Sequence, residues 1–394
     1  MRRLGLHTAL LLSLSLLLSC GGGKESVPDI SLIADGEVLW EDWTEATFKA
    51  DGTPMECKVH YRGGGSSRYD KHPYAVKFPE RVSLLGLPAD KDWILNATFI
   101  DKTFLRHKLS YDIFRLMHID NRASQCAYAR LYEKDLFRGL YVVMQKLDAS
   151  TLGIVKEDSS SVIFKEPPFL YAQPIVPQDS DNYYQQAYPK KRKEDRTAQV
   201  EALRWLVFEA PDSLFAQRVG ECFDLRNVAD WHILLLLTNN SDGILKNFYL
   251  YKVDDKTPFR FAPWDYDHSF GRDSDGEYNM LSVNADVNRN LLLKRLMRME
   301  EYRQLVASRW QQLRDEGTIS VERLTAMIDT DADYIREAAR QNAEVWPVDD
   351  PYFYDGMDFD EELDVMRTFV RLNVPRLDHY FSHLNTKINR KKIK

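Results

Sequence analysis

Cysteine is scarce in this chain: there are four in 394 residues, and no two stand in a C-x-x-C spacing. That scarcity excludes a disulfide-built scaffold and makes a zinc finger or ribbon an unexpected reading. With Cys20 set aside for a reason given below, Cys57, Cys126 and Cys222 allow at most one disulfide. Long apolar runs are also missing after residue 18; Leu234 to Leu237 is brief and reads as part of a buried helix. Positive charge is in deficit, with a net charge of −7, or −9 once Arg2 and Arg3 are removed. Nucleic acid is therefore not an expected partner. No internal repeat is visible, so a solenoid is not expected.

What is present begins at the N-terminus. Arg2 and Arg3 form a basic start, Leu4 to Leu18 are largely apolar, and Leu17-Leu18-Ser19-Cys20 closes the stretch. Such a run is short for a spanning helix and suits the apolar part of an export signal. A cysteine after Leu-Leu-Ser is where bacterial lipoproteins are cleaved and acylated. The expectation is a signal peptide over 1–19, a lipid on Cys20, and a flexible tether over 20–36 that opens with Gly21, Gly22 and Gly23. The protein would then be anchored to a bacterial membrane, facing the periplasm or the outside. About 370 residues remain, of a chain that is 44% hydrophobic, enough for one large two-lobed domain or two ordinary ones.

Along those residues the patterning changes once. Residues 37–61 alternate like short strands. Arg62-Gly63-Gly64-Gly65-Ser66-Ser67-Arg68 is a glycine-rich turn, and Tyr74 to Phe78, Trp93 to Ala97, Tyr128 to Tyr132 and Tyr141 to Gln145 read as further strands. Leu105, Leu109, Ile113, Leu116 and Met117 recur at helical spacing after Asp101, a candidate N-cap. This predicts a strand-rich region over 37–147. Residues 166–193 are a proline- and tyrosine-rich insertion ending in Lys190-Lys191-Arg192-Lys193. A nuclear-targeting role for that basic run conflicts with the export signal. From 195 on the pattern is mostly helical, with helices expected over 228–238, 291–313, 321–340 and 361–381. A basic tail over 387–394 is expected to be disordered. The fold class is α+β, with a strand-rich first part and a mainly helical second part over 148–386.

The chemistry sits in an interruption of the helical part. Asp242 is followed after four residues by Asn247, then a strand-like stretch, then Pro263-Trp264-Asp265-Tyr266-Asp267. Protein kinases use this order of groups: an acid that orients the attacking hydroxyl, then an asparagine and a second acid that hold a metal ion. Lys246 to Tyr251 and Phe259 to Ala262 would pair as a hairpin and return Asp265 to the side of Asn247. In an extended segment Asp265 and Asp267 share a face, so Asp267 is a further candidate ligand of Mg²⁺ or Mn²⁺. Lys77 on a strand, with the turn at Gly63, Gly64 and Ser66 before it, could meet nucleotide phosphates. Blander readings stand beside these. A strand lysine is most often a solvated edge residue, a Gly-Gly-Gly-Ser-Ser turn is more often a plain loop, and D-x-x-x-x-N alone is common.

Taken together the motifs resemble the CotH kinase family, over about Tyr61 to Phe381. The likeness rests on Tyr61-Arg62-Gly63 with Ser66-Ser67-Arg68, on Lys91 to Ala97, on Asp101-Lys102-Thr103 with Leu105-Arg106, and on Arg138-Gly139-Leu140-Tyr141. Asn240 with Asp242, Asn247 to Tyr251, and Pro263 to Asp267 with Ser269-Phe270-Gly271 complete it. The resemblance implies an atypical protein-kinase-like fold of two lobes. It implies transfer of the ATP γ-phosphate to hydroxyls of a protein substrate with Mg²⁺ or Mn²⁺. By it Asp242 is the catalytic acid/base and Asn247 and Asp265 are metal ligands. Arg62, Lys77 and the glycine turn face the phosphates, and Met144 to Lys146 lie near the adenine. Two departures accompany it: Gln145 stands where family members often carry glutamate, and no helix glutamate is placed to pair with Lys77. Lys71 competes with Lys77 for the phosphate role.

Two other readings remain open from sequence alone. One is a catalytically silent surface module binding glycan or protein, motivated by the scarcity of ATP outside the cytoplasm and by the tyrosines of the insertion. The other is calcium binding by Asp265, Asp267, Asp273 and Asp275. The EF-hand template fails there, since its glycine position falls on Phe270 and its terminal glutamate position on Gly276.

Overall fold

The structure, a computed structural model, describes residues 26–170, 183–273, 278–279, 281, 284–347 and 356–391. The expected signal segment, Cys20 with its glycines, residues 171–182 of the insertion, Asp275, Gly276 and the last three residues of the basic tail lie outside the described residues.

Seven strands form a closed barrel: β1 (Asp29–Ala34), β2 (Thr44–Ala50), β3 (Thr53–Tyr61), β4 (Tyr74–Val82), β5 (Asp90–Asn96), β6 (Cys126–Glu133) and β7 (Leu136–Gln145), in the order β1-β2-β3-β4-β5-β7-β6. Alternation builds its interior: Phe48, Val59, Val76, Phe78, Trp93, Leu95, Leu131, Tyr141 and Val143 point inward and are buried together. The barrel closes where β1 runs parallel to β6, with Ile30 opposite Leu131. Closure leaves no open sheet edge. This corrects the expected tether over 20–36 and the start of the strand-rich region at 37. Asp29–Ala34 is a strand because Ile30 and Leu32 fill the barrel while its backbone pairs on both sides.

Helix α1 (Arg106–Met117) connects β5 to β6. Asp101 serves its start from a distance, since the residue just before the helix, Leu105, makes no side-chain cap. One Asp101 oxygen accepts the Arg106 N–H at 3.0 Å and the other accepts the Thr103 N–H at 3.1 Å. These bonds satisfy backbone donors that every helix start leaves open.

The second part has a four-stranded sheet and seven helices among the described residues. The sheet holds β8 (Val162–Lys165), β9 (Gln186–Tyr188), β10 (Phe248–Lys252) and β11 (Arg260–Pro263) in the order β11-β10-β8-β9. The helices are α2 (Thr197–Phe208), α3 (Asp212–Cys222), α4 (Leu225–Thr238), α5 (Leu291–Leu296), α6 (Glu300–Asp315), α7 (Val321–Val345) and α8 (Phe359–Lys391). The single helix expected over 291–313 is two, because Met299 is extended and restarts the chain at Glu300. Helix α8 continues beyond Phe381 to Lys391, into the segment expected to be a disordered tail. No described helix is long and apolar enough to cross a membrane.

Helix α4 is the hub. Asp224 caps it by accepting the Asn227 N–H, and Asn239 ends it in the left-handed conformation with φ of 54°. Between those ends it is buried nearly all round, mostly by apolar residues, with Asn227, Asp230 and His232 enclosed among them. Helix α7 docks on the barrel. The Asn342 Oδ1 accepts the Leu140 N–H at 3.1 Å, and the Trp346 indole N–H donates to the Arg138 carbonyl at 2.9 Å. Gly139 permits this contact: its φ is 106°, and a Cβ there would stand 2.4 Å from Asn342 Oδ1.

Candidate active site

A cleft opens where the barrel meets the second part. Arg62, Gly63, Gly64, Gly65, Ser66, Lys71, Asn96 and Met144 line one side. Asp242, Lys246, Asn247, Asp265, Asp267 and His268 line the other, and His107 and Tyr111 of α1 stand between.

The acidic side follows from α4. The chain leaves Asn239 and turns through a short 3₁₀ segment at Asp242–Ile244. The Asn240 Oδ1 accepts the Gly243 N–H at 2.7 Å, and a Cβ on Gly243 would stand 2.9 Å from Leu235, so the turn is pressed onto the helix that delivers it. Asp242 is partly exposed, with Lys246 Nζ at 2.9 Å from its carboxylate. Pairing of Phe248 with Pro263 in the β10–β11 hairpin, extended by the Trp264 N–H donating to the Asn247 carbonyl at 3.0 Å, sets Asn247 beside Asp265. The Asn247 N–H in turn donates to Glu166 Oε1 at 3.0 Å.

Backbone strain gathers in these loops. Glu166, Asn239, Asn247, Asp265 and Phe270 all carry positive φ, between 48° and 61°. Non-glycine residues in such conformations cost about 1–3 kcal/mol each and persist where the surroundings over-determine them. Those surroundings are α1. Its Tyr111 hydroxyl accepts the Asp265 N–H at 2.9 Å, its Arg106 Nε donates to the Ser269 carbonyl at 2.9 Å, and its His107 Nε2 stands 3.3 Å from Asp265 Oδ1. Arg106 is fixed by two acids, Asp101 at 2.5 Å and Glu362 of α8 at 2.9 Å. Glu362 also holds Arg272 at 2.6 Å, so α8 reaches the far end of the same loop.

The acidic wall has uneven electrostatics. Loss of water on its inner side pushes the half-exposed Asp265 carboxyl up. The nearby His107 imidazole, with His268 and Arg62, more than offsets it and holds the carboxyl below the usual range. Asp267 is pushed above the usual range by burial and by its neighbour Asp265. One ligand atom from each of His107, Asp265 and Asp267 falls within 4.8 Å of the other two. Two carboxylates, with the Asn247 amide on the same wall, form an oxygen-rich donor set that fits a divalent cation.

On the opposite wall Gly63 has φ of 97°, and a Cβ would lie 1.9 Å from Ser66 Oγ, so only glycine turns the chain here. Arg62 lies 5.7 Å over the Trp264 ring, bridging the two walls. The expectation for Lys77 is corrected. It points out of the barrel, exposed, because Val76 and Phe78 on either side point in; it lies 6.0 Å over Trp43 and does not line the cleft. Lys71 lines the cleft instead. It is 1% exposed, donates from Nζ to the carbonyls of Leu140 and Ala97, and stands 4.4 Å over the Tyr141 ring. Burial pushes its ammonium well below the usual lysine range, and no carboxylate pairs with it among the described residues. The place expected for Gln145 is also corrected. Met144 lines the cleft, whereas Gln145 is turned away: its side chain donates to the Pro88 carbonyl at 3.2 Å and its own carbonyl accepts the Ser124 hydroxyl at 2.8 Å.

His107, Tyr111, Lys246 and Glu166 join the site without having been singled out in the sequence. His107 and Tyr111 carry a faint signal, one helical turn apart and just after the Leu105-Arg106 pair. Glu166 carries none, since its partner Asn247 is 81 residues away.

An α+β fold with carboxylates on one wall of a cleft and basic groups with a glycine turn on the other defines the class. The profile of the CotH kinase protein family matches residues 59–374, and the chain belongs to that family. Inner spore coat protein H of Bacillus subtilis (strain 168) is 22% identical over 269 residues, covering 67% of this chain and 73% of that protein. Among solved structures, the Helicobacter pylori proinflammatory kinase CtkA aligns over 80% of this chain and 97% of its own, with 9% identity and a TM-score of 0.34. The Golgi casein kinase aligns over 84% of this chain and 76% of its own, with 11% identity and a TM-score of 0.26.

Proposed function

We propose that the chain is an exported kinase of atypical two-lobed design. It would transfer the γ-phosphate of ATP to hydroxyls of a protein substrate with Mg²⁺ or Mn²⁺, and be held to a bacterial membrane through lipid on Cys20. One observation carries the reading: Asp242, Asn247 and Asp265 face a single cleft opposite Arg62, Lys71 and the glycine turn.

Phosphoryl transfer asks a protein mainly for position and for charge against the phosphate oxygens. Asp242 accepts the proton of the incoming hydroxyl, and Lys246, 2.9 Å away, holds that carboxylate in place and adds positive charge to the rim. Asn247, Asp265 and Asp267 would hold the divalent ion, which would supply positive charge against the phosphates. Arg62, Lys71 and the backbone N–H groups of the turn at Gly63 to Ser66 meet the phosphates from the barrel side. Met144 lies where the base would rest.

Thermal melting of the purified protein with ATP and either metal tests this. A ligand at 100 times its dissociation constant, binding only the folded form, adds about 2.7 kcal/mol. The expected result is a metal-dependent rise in melting temperature that Asp265→Ala abolishes. In the same preparation, transfer of the γ-phosphate to a generic protein acceptor should be lost in Asp242→Asn while the melting shift persists. No shift with either metal would overturn the kinase reading and favour a silent surface-binding module.

A further inference from the structure

We infer that His107 is a direct ligand of the divalent ion, and that its imidazole makes the site favour a first-row transition ion such as Mn²⁺ over Mg²⁺. The inference rests on the reading of this cleft as a metal–nucleotide site and adds a residue and a metal preference to it.

The imidazole is 3% exposed, at the second residue of α1, where Arg106 and Tyr111 already lock the helix onto the Asp265–Ser269 loop. Hydrogen bonding alone does not account for its burial. Nδ1 is enclosed and has no hydrogen-bond partner among the described residues, whereas buried polar atoms are normally paired. Nε2 faces Asp265 Oδ1 at 3.3 Å. That is longer than the ~2.7–2.9 Å of a charge-assisted hydrogen bond. It is close to the separation of about 3.0 Å that adjacent ligands take on an octahedral ion with bonds of about 2.1 Å. Asp267 supplies the third atom within the 4.8 Å span. An ion among these three would relieve the opposition between two carboxylates held side by side.

The chemistry of the donors sets the preference. Mg²⁺ takes oxygen ligands and keeps its waters, while imidazole nitrogen gains affinity for the later ions of the first transition row. Replacing an oxygen donor by His107 Nε2 therefore tilts the site away from Mg²⁺. His268 is the other imidazole in the cleft. Its Nε2 stands 3.8 Å from Asp267 Oδ1, outside the three-residue set, which makes it the natural control.

Mn²⁺ without nucleotide is the probe, on the full mature protein, read by electron spin-echo envelope modulation. Nitrogen modulation from a bound imidazole is expected in the unaltered protein and in His268→Gln. It should disappear in His107→Gln, and [¹⁵N]histidine labelling should shift its frequency. The Mn²⁺ dissociation constant, followed through the signal of the free ion, should rise about tenfold or more in His107→Gln. Competition by Mg²⁺ should become correspondingly more effective. Because the unaltered protein's spectrum decides the matter, a poorly folding variant does not rescue the idea. Mn²⁺ bound and released by Asp265→Asn, but with no nitrogen modulation, would overturn the ligand role and leave the metal site standing. Modulation that survives His107→Gln and vanishes in His268→Gln would overturn it equally. Failure of the unaltered protein to retain Mn²⁺ would sink both this inference and the nucleotide site beneath it.

Discussion

The barrel and the cleft loops are built on opposite plans. The barrel is held by alternation: apolar residues point inward, each strand pairs with a neighbour on both sides, and closure by β1 leaves no edge. The loops that carry Asp242, Asn247 and Asp265 have little regular structure, several strained residues, and support from buried ions reaching in from α1 and α8. The barrel's order is therefore redundant, shared among many ladders, while the order of the cleft rests on a few side chains of distant helices. A single change remote from the chemistry should damage the second and spare the first.

The largest such effect should come from Glu362. Its carboxylate is buried between the guanidiniums of Arg106 and Arg272. Removing one member of a buried ion set leaves the remaining charges less compensated and costs up to about 3–5 kcal/mol. Glu362→Ala should lower stability by that amount in denaturant titration. Hydrogen exchange should rise first at Asp265 to Ser269 and along α1. A loss spread evenly through β1–β7 would break the contrast drawn here.

A second effect separates the regions by pH. His232 of α4 is fully buried against Tyr302, and burial lowers its pKa to about 4. Its folded form refuses a proton that the unfolded chain accepts below about pH 6.5. The stability contribution is thus complete above that pH and falls as pH drops toward 4. At about 1.4 kcal/mol per pH unit the loss approaches roughly 3 kcal/mol. Urea titrations at pH 7, 5.5 and 4.5 should show this decline, and His232→Phe should flatten it. An unchanged slope in that variant would assign the acid sensitivity elsewhere.

The same contrast explains what could be read from the sequence. Asp242, Asn247 and Asp265 were legible because a helix, a turn and a hairpin are local patterns, and the hairpin alone returns Asp265 to Asn247. The strands of the barrel were legible for the same reason. Its closure was not, since β1 must meet β6 about 100 residues later, and a glycine-rich start to the segment favoured a tether. Glu362 could not have been found, because its partner Arg106 is 256 residues away. Lys77 is a different kind of miss. Tyr74, Val76 and Phe78 already alternate inward, which places Lys77 outward by elementary strand geometry. The analogy with a strand lysine of kinases outweighed a signal that was present.

That pair of lysines provides the smallest and sharpest test of the comparison. Lys77 is exposed on the barrel's outer face, so Lys77→Ala should change stability by no more than about 0.5 kcal/mol and leave the nucleotide-dependent melting shift intact. Lys71 is buried, with carbonyls and a ring as its company. Lys71→Met keeps the volume and removes an amine whose burial is costly, so stability should hold or rise. The shift with ATP and metal should nevertheless fall sharply, because the cleft loses the buried amine on its barrel wall. Stability and nucleotide binding would then move in opposite directions at a single position, as expected of a group kept for its ligand rather than for the fold. If Lys77→Ala abolished the shift and Lys71→Met did not, phosphate would be met at the barrel's outer surface, and the division between a structural barrel and a functional cleft would fail.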